Sequence, residues 1–318
     1  MKKYIFPRAS LAHTYRRLTE DRELTVVYFG GSVTAGYGAS APEEYSWRAR
    51  IGKWLNEQFP DADIRHINRA LGESGTYLGT NRVQHDVIGA NPDLLFLEYS
   101  INDRYYRSTY EQAASQYETI IREVKTALPD TDIVTVLVTD QRCMTEYNAV
   151  GALHKQAQAH EDIARVYHIP TLHVGRYLAA LIDYQPSAWE RYAIDTVHLN
   201  DRGYEVYYEL IREYLTEALQ RTDFSKPQDS FVMVPVVSEH LFDGDRKGLQ
   251  PTQETVSASE AMGGRGVIWS EGSAFHNFAI SNATGQLHFE HGDDELVIQF
   301  RGTELSAYSL SSILTPSI

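Results

Sequence analysis

The sequence predicts a three-layer α/β/α fold, with a mostly parallel five-stranded sheet between two layers of helices. Over the first 220 residues, short apolar runs alternate with longer amphipathic stretches, which is typical of parallel strands joined by helices. The short runs are almost continuously apolar, as strands buried on both faces are. Pro60, Pro129 and Pro170 follow amphipathic stretches and end the helices there.

Each element has its own signal. Runs rich in Val, Ile, Leu and Phe predict strands at 24–29, 64–68, 93–99, 133–139 and 171–174. Amphipathic stretches predict the main helices at 47–59, 110–128, 147–167 and 202–221. Residues 1–222 are therefore predicted to form one α/β domain.

Residues 223–318 are predicted to form a β-rich accessory module. Their apolar runs are short and separated by Gly, Asp, Asn and Ser, and strands are expected at 231–237, 266–269, 275–280, 286–290 and 295–300. A complete β-sandwich has about seven strands. The sequence therefore favours an incomplete sandwich, or one completed by a partner, and leaves a homo-oligomer open.

Composition limits the partners. A formal net charge of −14 argues against nucleic acid and against an anionic membrane surface. Cys143 is the single cysteine, which excludes an internal disulfide and a Cys-rich zinc site. The basic start is interrupted by Pro7 and Arg8 before any apolar run, and no stretch is long and apolar enough to span a membrane. We expect a cytoplasmic protein with no membrane partner.

A Gly-Gly-Ser-Val-Thr motif at residues 30–34 follows the first predicted strand. Ligands of open parallel sheets bind at the carboxyl ends of strands, so Ser32 lies where chemistry is expected. A phosphate loop is excluded because Tyr37 stands where its lysine is required, and the dinucleotide fingerprint is absent. A tight turn with an N-capping serine is the alternative explanation.

Three further motifs follow predicted strands or precede the last helix. Asn102 and Asp103 come just after the third strand, and the glycine segment at 68–79 follows the second. Asp195 stands three residues before His198, a spacing that lets the carboxylate accept from Nδ1–H and leaves Nε2 as a base. A turn or a helix cap explains each of these motifs equally well when it is taken alone.

Together, the four motifs in this order resemble the SGNH (GDSL-like) hydrolase family over about residues 20–220. Gly-Gly-Ser-Val-Thr in place of Gly-Asp-Ser, together with the added β-rich module, is similar to the carbohydrate-esterase-like branch of that family. The resemblance implies that Ser32 is the nucleophile, His198 the general base and Asp195 the residue that orients the histidine.

The resemblance also implies an oxyanion hole formed by the backbone N–H of Ser32, a backbone N–H of the glycine segment and the side-chain amide of Asn102. Gly72 is the predicted donor in that segment, with Gly75 as the alternate. An ungapped alignment instead places Glu73 at the usual glycine, and its backbone N–H is also able to donate.

The implied function is a serine esterase that hydrolyses short acyl esters, acetyl above all, on a small molecule, a sugar or an oligosaccharide. The resemblance implies no metal and no cofactor. A short-chain aryl or alkyl esterase, a thioesterase, and a catalytically inactive carbohydrate-binding protein remain as alternatives.

Aromatic residues near the motif loops are candidates for stacking on sugar rings, although core packing accounts for most of them. They are Tyr45, Trp47, Tyr77, Tyr99, Tyr105, Tyr106, Trp189 and Tyr192. His154 and His160 are expected on a solvent-exposed helix face.

Overall fold

The computed structural model describes residues 1–220 and 230–236 and four strand segments at 275–281, 284–291, 294–301 and 304–309. These residues fall into two units. The first contains a six-stranded sheet whose strands are β1 (Ile5–Phe6), β2 (Glu23–Gly30), β3 (Asp63–Asn68), β4 (Leu94–Glu98), β5 (Asp132–Val136) and β6 (Thr171–Leu172).

The strand order is β3–β2–β4–β5–β6–β1. Strands β2 to β6 are parallel, and only β1 pairs in the antiparallel direction, at the edge beside β6. The five parallel strands have the flavodoxin-like order, which reverses direction between β2 and β4. The prediction of a mostly parallel five-stranded sheet is confirmed, and the two-residue strand β1 is an addition.

Helices cover both faces of the sheet. They are α1 (Ala12–Arg16), α2 (Ser32–Ala35), α3 (Pro42–Tyr45), α4 (Trp47–Gln58), α5 (Thr76–Asp86), α6 (Ser100–Tyr105), α7 (Tyr110–Ala127), α8 (Gln141–Glu146), α9 (Lys155–Val166), α10 (Val174–Leu181), α11 (Pro186–Trp189) and α12 (Asp201–Leu219). Side-chain caps start the longer helices: Ser46 accepts from the N–H of Ala49 at α4, and Thr109 forms a capping box at α7.

The core explains the continuous apolar strands. Every residue of β4 is buried, and so are the last five residues of β2. Helices pack on both faces of these strands, so neither face alternates with polar residues.

One predicted helix is shorter than expected. The stretch 147–167 contains a short 3₁₀ helix at Asn148–Val150, and α9 begins only at Lys155. Gly151 adopts a left-handed backbone with φ of 79°, which ends the first turn, and His154 then caps α9.

The second unit contains two strand pairs. Strand β7 (Phe275–Ser281) pairs with β10 (Glu304–Ser309), and β8 (Thr284–His291) pairs with β9 (Asp294–Arg301), both antiparallel. Strands β7, β8 and β9 overlap predicted strands, whereas β10 was not predicted. The predicted strand at 266–269 lies outside the described residues, and the boundary between residues 1–222 and 223–318 stays a prediction.

The strand predicted at 231–237 is wrong over the residues described there. Residues 231–236 form no strand. Phe231 instead stacks on Tyr167 at 5.8 Å between ring centroids, and Arg122 donates to the carbonyl of Val234 at 2.7 Å. The apolar run that predicted a strand therefore contains an aromatic side chain that packs on Tyr167 at the end of α9.

Candidate active site

The four motifs meet at one edge of the sheet. Ser32 begins α2 directly after β2, and Asn102 lies in α6 directly after β4. Strands β2 and β4 are the neighbours between which the strand order reverses, and this is the place where open α/β sheets bind ligands. His198 comes from the loop before α12.

Ser32, His198 and Asp195 form a continuous chain of hydrogen bonds. Ser32 Oγ lies 2.9 Å from His198 Nε2, and His198 Nδ1 lies 2.8 Å from Asp195 Oδ2. Because a carboxylate only accepts, the imidazole proton lies on Nδ1, and Nε2 is the acceptor for the serine hydroxyl. The three residues predicted from the motifs are therefore brought together with the geometry of a nucleophile, a base and an orienting acid.

The loop around Asp195 fixes its carboxylate. Asp195 Oδ1 accepts from the backbone N–H groups of Val197 and His198, each at 2.7 Å, and Trp189 Nε1 donates to the Asp195 carbonyl at 2.8 Å. Partial burial opposes ionisation, but the hydrogen bonds from His198 and Val197 outweigh it and lower the pKa of Asp195 below its ordinary value. The carboxylate is therefore charged at neutral pH.

Asn102 lies directly against the nucleophile turn. A Cβ added at Gly31 would come within 2.3 Å of Asn102 Oδ1, so a larger residue at this position would make the Asn102 side chain shift. The contact brings the amide of Asn102 to the same edge as Ser32.

The glycine segment also reaches this edge. Leu71 donates its N–H to the carbonyl of Gly30 at 2.9 Å. Gly72 lies against the ring of Tyr37, since an added Cβ would be 3.1 Å from that ring, and Tyr37 lies 5.9 Å from the His198 ring between centroids. Gly72 is therefore close to the hydrogen-bonded chain.

Glu73 and Gly75 occupy different surroundings. Glu73 has a left-handed backbone with φ of 56°, the conformation that favours glycine. Gly75 lies against Asp103 and Tyr106, because an added Cβ would lie 2.5 Å from Asp103 Oδ1 and 3.2 Å from Tyr106 Cδ2. The backbone donor of the segment stays a prediction.

Asp103 joins the elements behind the site. Its carboxylate accepts from the N–H of Thr76 at 2.7 Å and from the Thr76 hydroxyl at 2.8 Å, and His160 Nε2 lies 2.9 Å away. The prediction that His154 and His160 face solvent is wrong: both are buried, and His160 stacks on Tyr117 at 4.1 Å. Asp103, far from His160 in the sequence, supplies the polar partner that makes the burial of His160 tolerable.

Three tyrosines, Tyr37, Tyr105 and Tyr106, line the rim and are called the rim tyrosines below. They are 40%, 52% and 49% exposed, and among the described residues they are the large aromatic side chains that count as exposed. Tyr106 donates its hydroxyl to the carbonyl of Glu73. Partial burial and the charge of Asp140 raise the pKa of Tyr105.

The predicted aromatic set thus divides into three groups. Trp47, Tyr99 and Trp189 are fully buried and belong to the core, whereas Tyr105 and Tyr106 are exposed at the site. The remaining three are half-buried: Tyr45, Tyr77 and Tyr192. Sequence reasoning missed Tyr37 as a rim residue. Its place five residues after Ser32, just past the short helix α2, was the available signal.

The described part of the chain contains no candidate metal site. No group of three or more His, Cys, Asp or Glu side chains there has the arrangement needed to hold an ion. No helix in the same part of the chain is long and apolar enough to cross a membrane.

Comparison with known protein families gives a match over the region that contains this site. Residues 28–206, more than half of the chain, match the GDSL-like lipase/acylhydrolase family. The chain belongs to this family. The matched region includes the serine, glycine, asparagine and histidine motifs of this GDSL-like hydrolase. No curated protein sequence matches the chain at a significant level.

Solved structures share the fold of this GDSL-like hydrolase. A two-domain esterase active on acetylated mannans is 22% identical with a TM-score of 0.64, and the match covers 74% of this chain and 60% of that one. An acetylxylan esterase from Geobacillus stearothermophilus is 16% identical with a TM-score of 0.51, covering 64% and 97%. A GDSL-like lipase structure from Parabacteroides merdae is also 16% identical with a TM-score of 0.51, covering 62% and 95%.

Proposed function

We propose that this GDSL-like hydrolase is a serine esterase that removes acetyl or similarly short acyl groups from a sugar or an oligosaccharide. The observation that carries the proposal is the hydrogen-bonded chain of Ser32, His198 and Asp195, with Asn102 in contact with the nucleophile turn. This arrangement is suited to nucleophilic acyl transfer.

In the first step, Ser32 Oγ attacks the carbonyl carbon of the ester while His198 Nε2 takes the hydroxyl proton. Asp195 stabilises the imidazolium that forms. The tetrahedral intermediate then collapses: the bond from carbon to the alcohol oxygen breaks, and His198 delivers its proton to that oxygen. The alcohol leaves and an acyl-serine remains.

In the second step, water replaces the alcohol. His198 removes a proton from water, the resulting oxygen attacks the acyl carbon, and the bond to Ser32 Oγ breaks as His198 returns the proton to it. The products are the free acid and the regenerated serine. Every proton in the cycle passes through His198, so the reaction as written needs no other acid or base.

The negative oxygen of each tetrahedral intermediate is stabilised by the N–H of Ser32, the amide of Asn102 and one N–H of the glycine segment. Gly72 is the donor that we favour in that segment. Glu73 is the second candidate donor, because it has the left-handed backbone that favours glycine. Gly75 is the candidate that we favour least, because it lies against Asp103.

Two observations support a sugar as the alcohol. The rim tyrosines present exposed aromatic surface around the site, and aromatic faces suit the apolar faces of sugar rings. Solved structures with the same fold include esterases described as active on acetylated mannans or acetylxylan. A small oligosaccharide also suits the cytoplasmic location that the sequence predicts.

The test is acetate release from acetylated mono- and oligosaccharides, beside 4-nitrophenyl acetate, 4-nitrophenyl butyrate and an acyl-thioester. We expect release from at least one sugar, lost in Ser32→Ala, which circular dichroism should show to be folded. Activity only on aryl esters or thioesters would contradict the sugar while keeping the triad. Activity that survives in Ser32→Ala would contradict the mechanism.

A further inference from the structure

A buried carboxyl group that the mechanism does not use lies beneath the nucleophile turn. Glu98 is the last residue of β4 and is 1% exposed. In the parallel register of the sheet it pairs with Gly30, the residue at which β2 enters the turn. An ionisable side chain is therefore buried in the sheet, on the strand next to the one that leads to Ser32.

The carboxyl group contacts the residues on both sides of Ser32. Glu98 Oε2 accepts from the N–H of Gly31 at 3.4 Å and from the hydroxyl of Thr34 at 3.0 Å. Gly30 makes this fit possible, because an added Cβ there would lie 2.5 Å from the Glu98 carbonyl oxygen and 2.7 Å from the Thr34 hydroxyl. The turn that carries Ser32 is therefore hydrogen-bonded to Glu98 both before and after the serine.

The surroundings of Glu98 disfavour a charge. Burial raises the pKa of Glu98 to about 7, and the nearby charge of Asp103 on α6 adds to that effect, against the two hydrogen bonds from Thr34 and Gly31. Its second oxygen is buried with no hydrogen-bond partner among the described residues.

The other titratable groups that sense Glu98 electrostatically are tyrosines. They are Tyr117 on α7 and Tyr204 and Tyr207 on α12. Burial raises the pKa of each of these tyrosines, so they are neutral at pH 7. In the described part of the chain, no salt bridge joins a cation to Glu98, so no opposite charge offsets the cost of burying its ionised form.

We propose that Glu98 is a positioning residue, whose neutral carboxyl group holds the nucleophile turn in its active geometry and whose ionisation slows acyl transfer. The inference rests on the proposed serine-esterase function. The physical reason is electrostatic. A buried negative charge in contact with Gly31 and Thr34 lies next to the N–H of Ser32, and it opposes the negative oxygen that this N–H must stabilise.

The first test compares kcat of Glu98→Gln with kcat of the wild type on 4-nitrophenyl acetate between pH 5 and pH 9. The amide keeps the shape and an acceptor but cannot ionise. Both proteins share His198, so its titration cancels in the ratio of variant to wild type. We expect the ratio to be constant at low pH and to rise about tenfold as pH passes through the region near 7, less than the loss of a whole oxyanion donor.

A matched control is Glu118→Gln. Glu118 is also a buried carboxylic acid and accepts from the Tyr167 hydroxyl, remote from the nucleophile turn. Its ratio to wild type should stay flat with pH. A flat ratio for Glu98→Gln as well would overturn the coupling of ionisation to acyl transfer.

The second variant, Glu98→Ala, tests positioning. Loss of the acceptor for Gly31 and Thr34 should lower kcat while KM stays within about twofold, since the turn moves but the substrate contacts remain. An unchanged kcat in folded Glu98→Ala would overturn the positioning role. Failure of the proposed function looks different, because the wild type itself would then hydrolyse none of the esters.

Discussion

At the scale of single residues, Gly31 and Asn102 show how the site depends on contact between neighbouring strand ends. Glycine at position 31 leaves room for the side chain of Asn102, which otherwise would meet a Cβ at 2.3 Å. A larger residue at position 31 would therefore displace the amide that we propose as an oxyanion donor.

Asn102→Ala should lower kcat by about 10²–10³, because one donor to the negative oxygen is lost, while KM changes little. The measurement is steady-state hydrolysis of 4-nitrophenyl acetate. Asn56→Ala is the control, since Asn56 is an exposed residue of α4 near His66. If the two variants had equal kcat, the amide of Asn102 would have no part in the reaction.

At the scale of elements, Asp103 ties three helices together behind the site. Its carboxylate joins α6 to Thr76 at the start of α5 and to His160 on α9. Thr76 lies within the glycine segment, so this network also fixes the segment that we propose supplies a backbone donor. Thr76, Asp103 and His160 are far apart in the sequence. The sequence around His160 therefore gave no sign of its buried polar partner, and the prediction that it faces solvent was wrong.

Asp103→Ala should lower the free energy of unfolding by about 2–5 kcal/mol, since it leaves the buried donors of Thr76 and His160 unsatisfied, each at a cost of about 1–3 kcal/mol. Urea unfolding followed by circular dichroism measures the change. Asp61→Ala, at an exposed turn residue, should stay within about 0.5 kcal/mol of wild type. A loss below about 1 kcal/mol for Asp103→Ala would argue against the network.

At the scale of the whole molecule, the sequence was sufficient for the parallel sheet because buried strands are nearly continuous in apolar residues, as in β4. Once the strands were placed, the rule that ligands bind at their carboxyl ends located Ser32 and Asn102.

Features fixed by non-local contacts were not predictable in this way. Strand β1 has two residues and exists through pairing with β6 at the sheet edge, so it has no periodicity of its own. Residues 231–236 are a short apolar run like a strand, but they form none, and Phe231 stacks on Tyr167 at the end of α9. The choice between Gly72 and Glu73 depends on backbone conformation, which residue type alone does not reveal.

The most direct test of the central claim is labelling by a fluorophosphonate, which reacts covalently with an activated serine. Tryptic mass spectrometry should find the label on Ser32 in the wild type, with His198→Ala labelled far more slowly because the base that activates the hydroxyl is gone. Label on another serine, or equal rates in the wild type and His198→Ala, would contradict a catalytic chain of Ser32, His198 and Asp195.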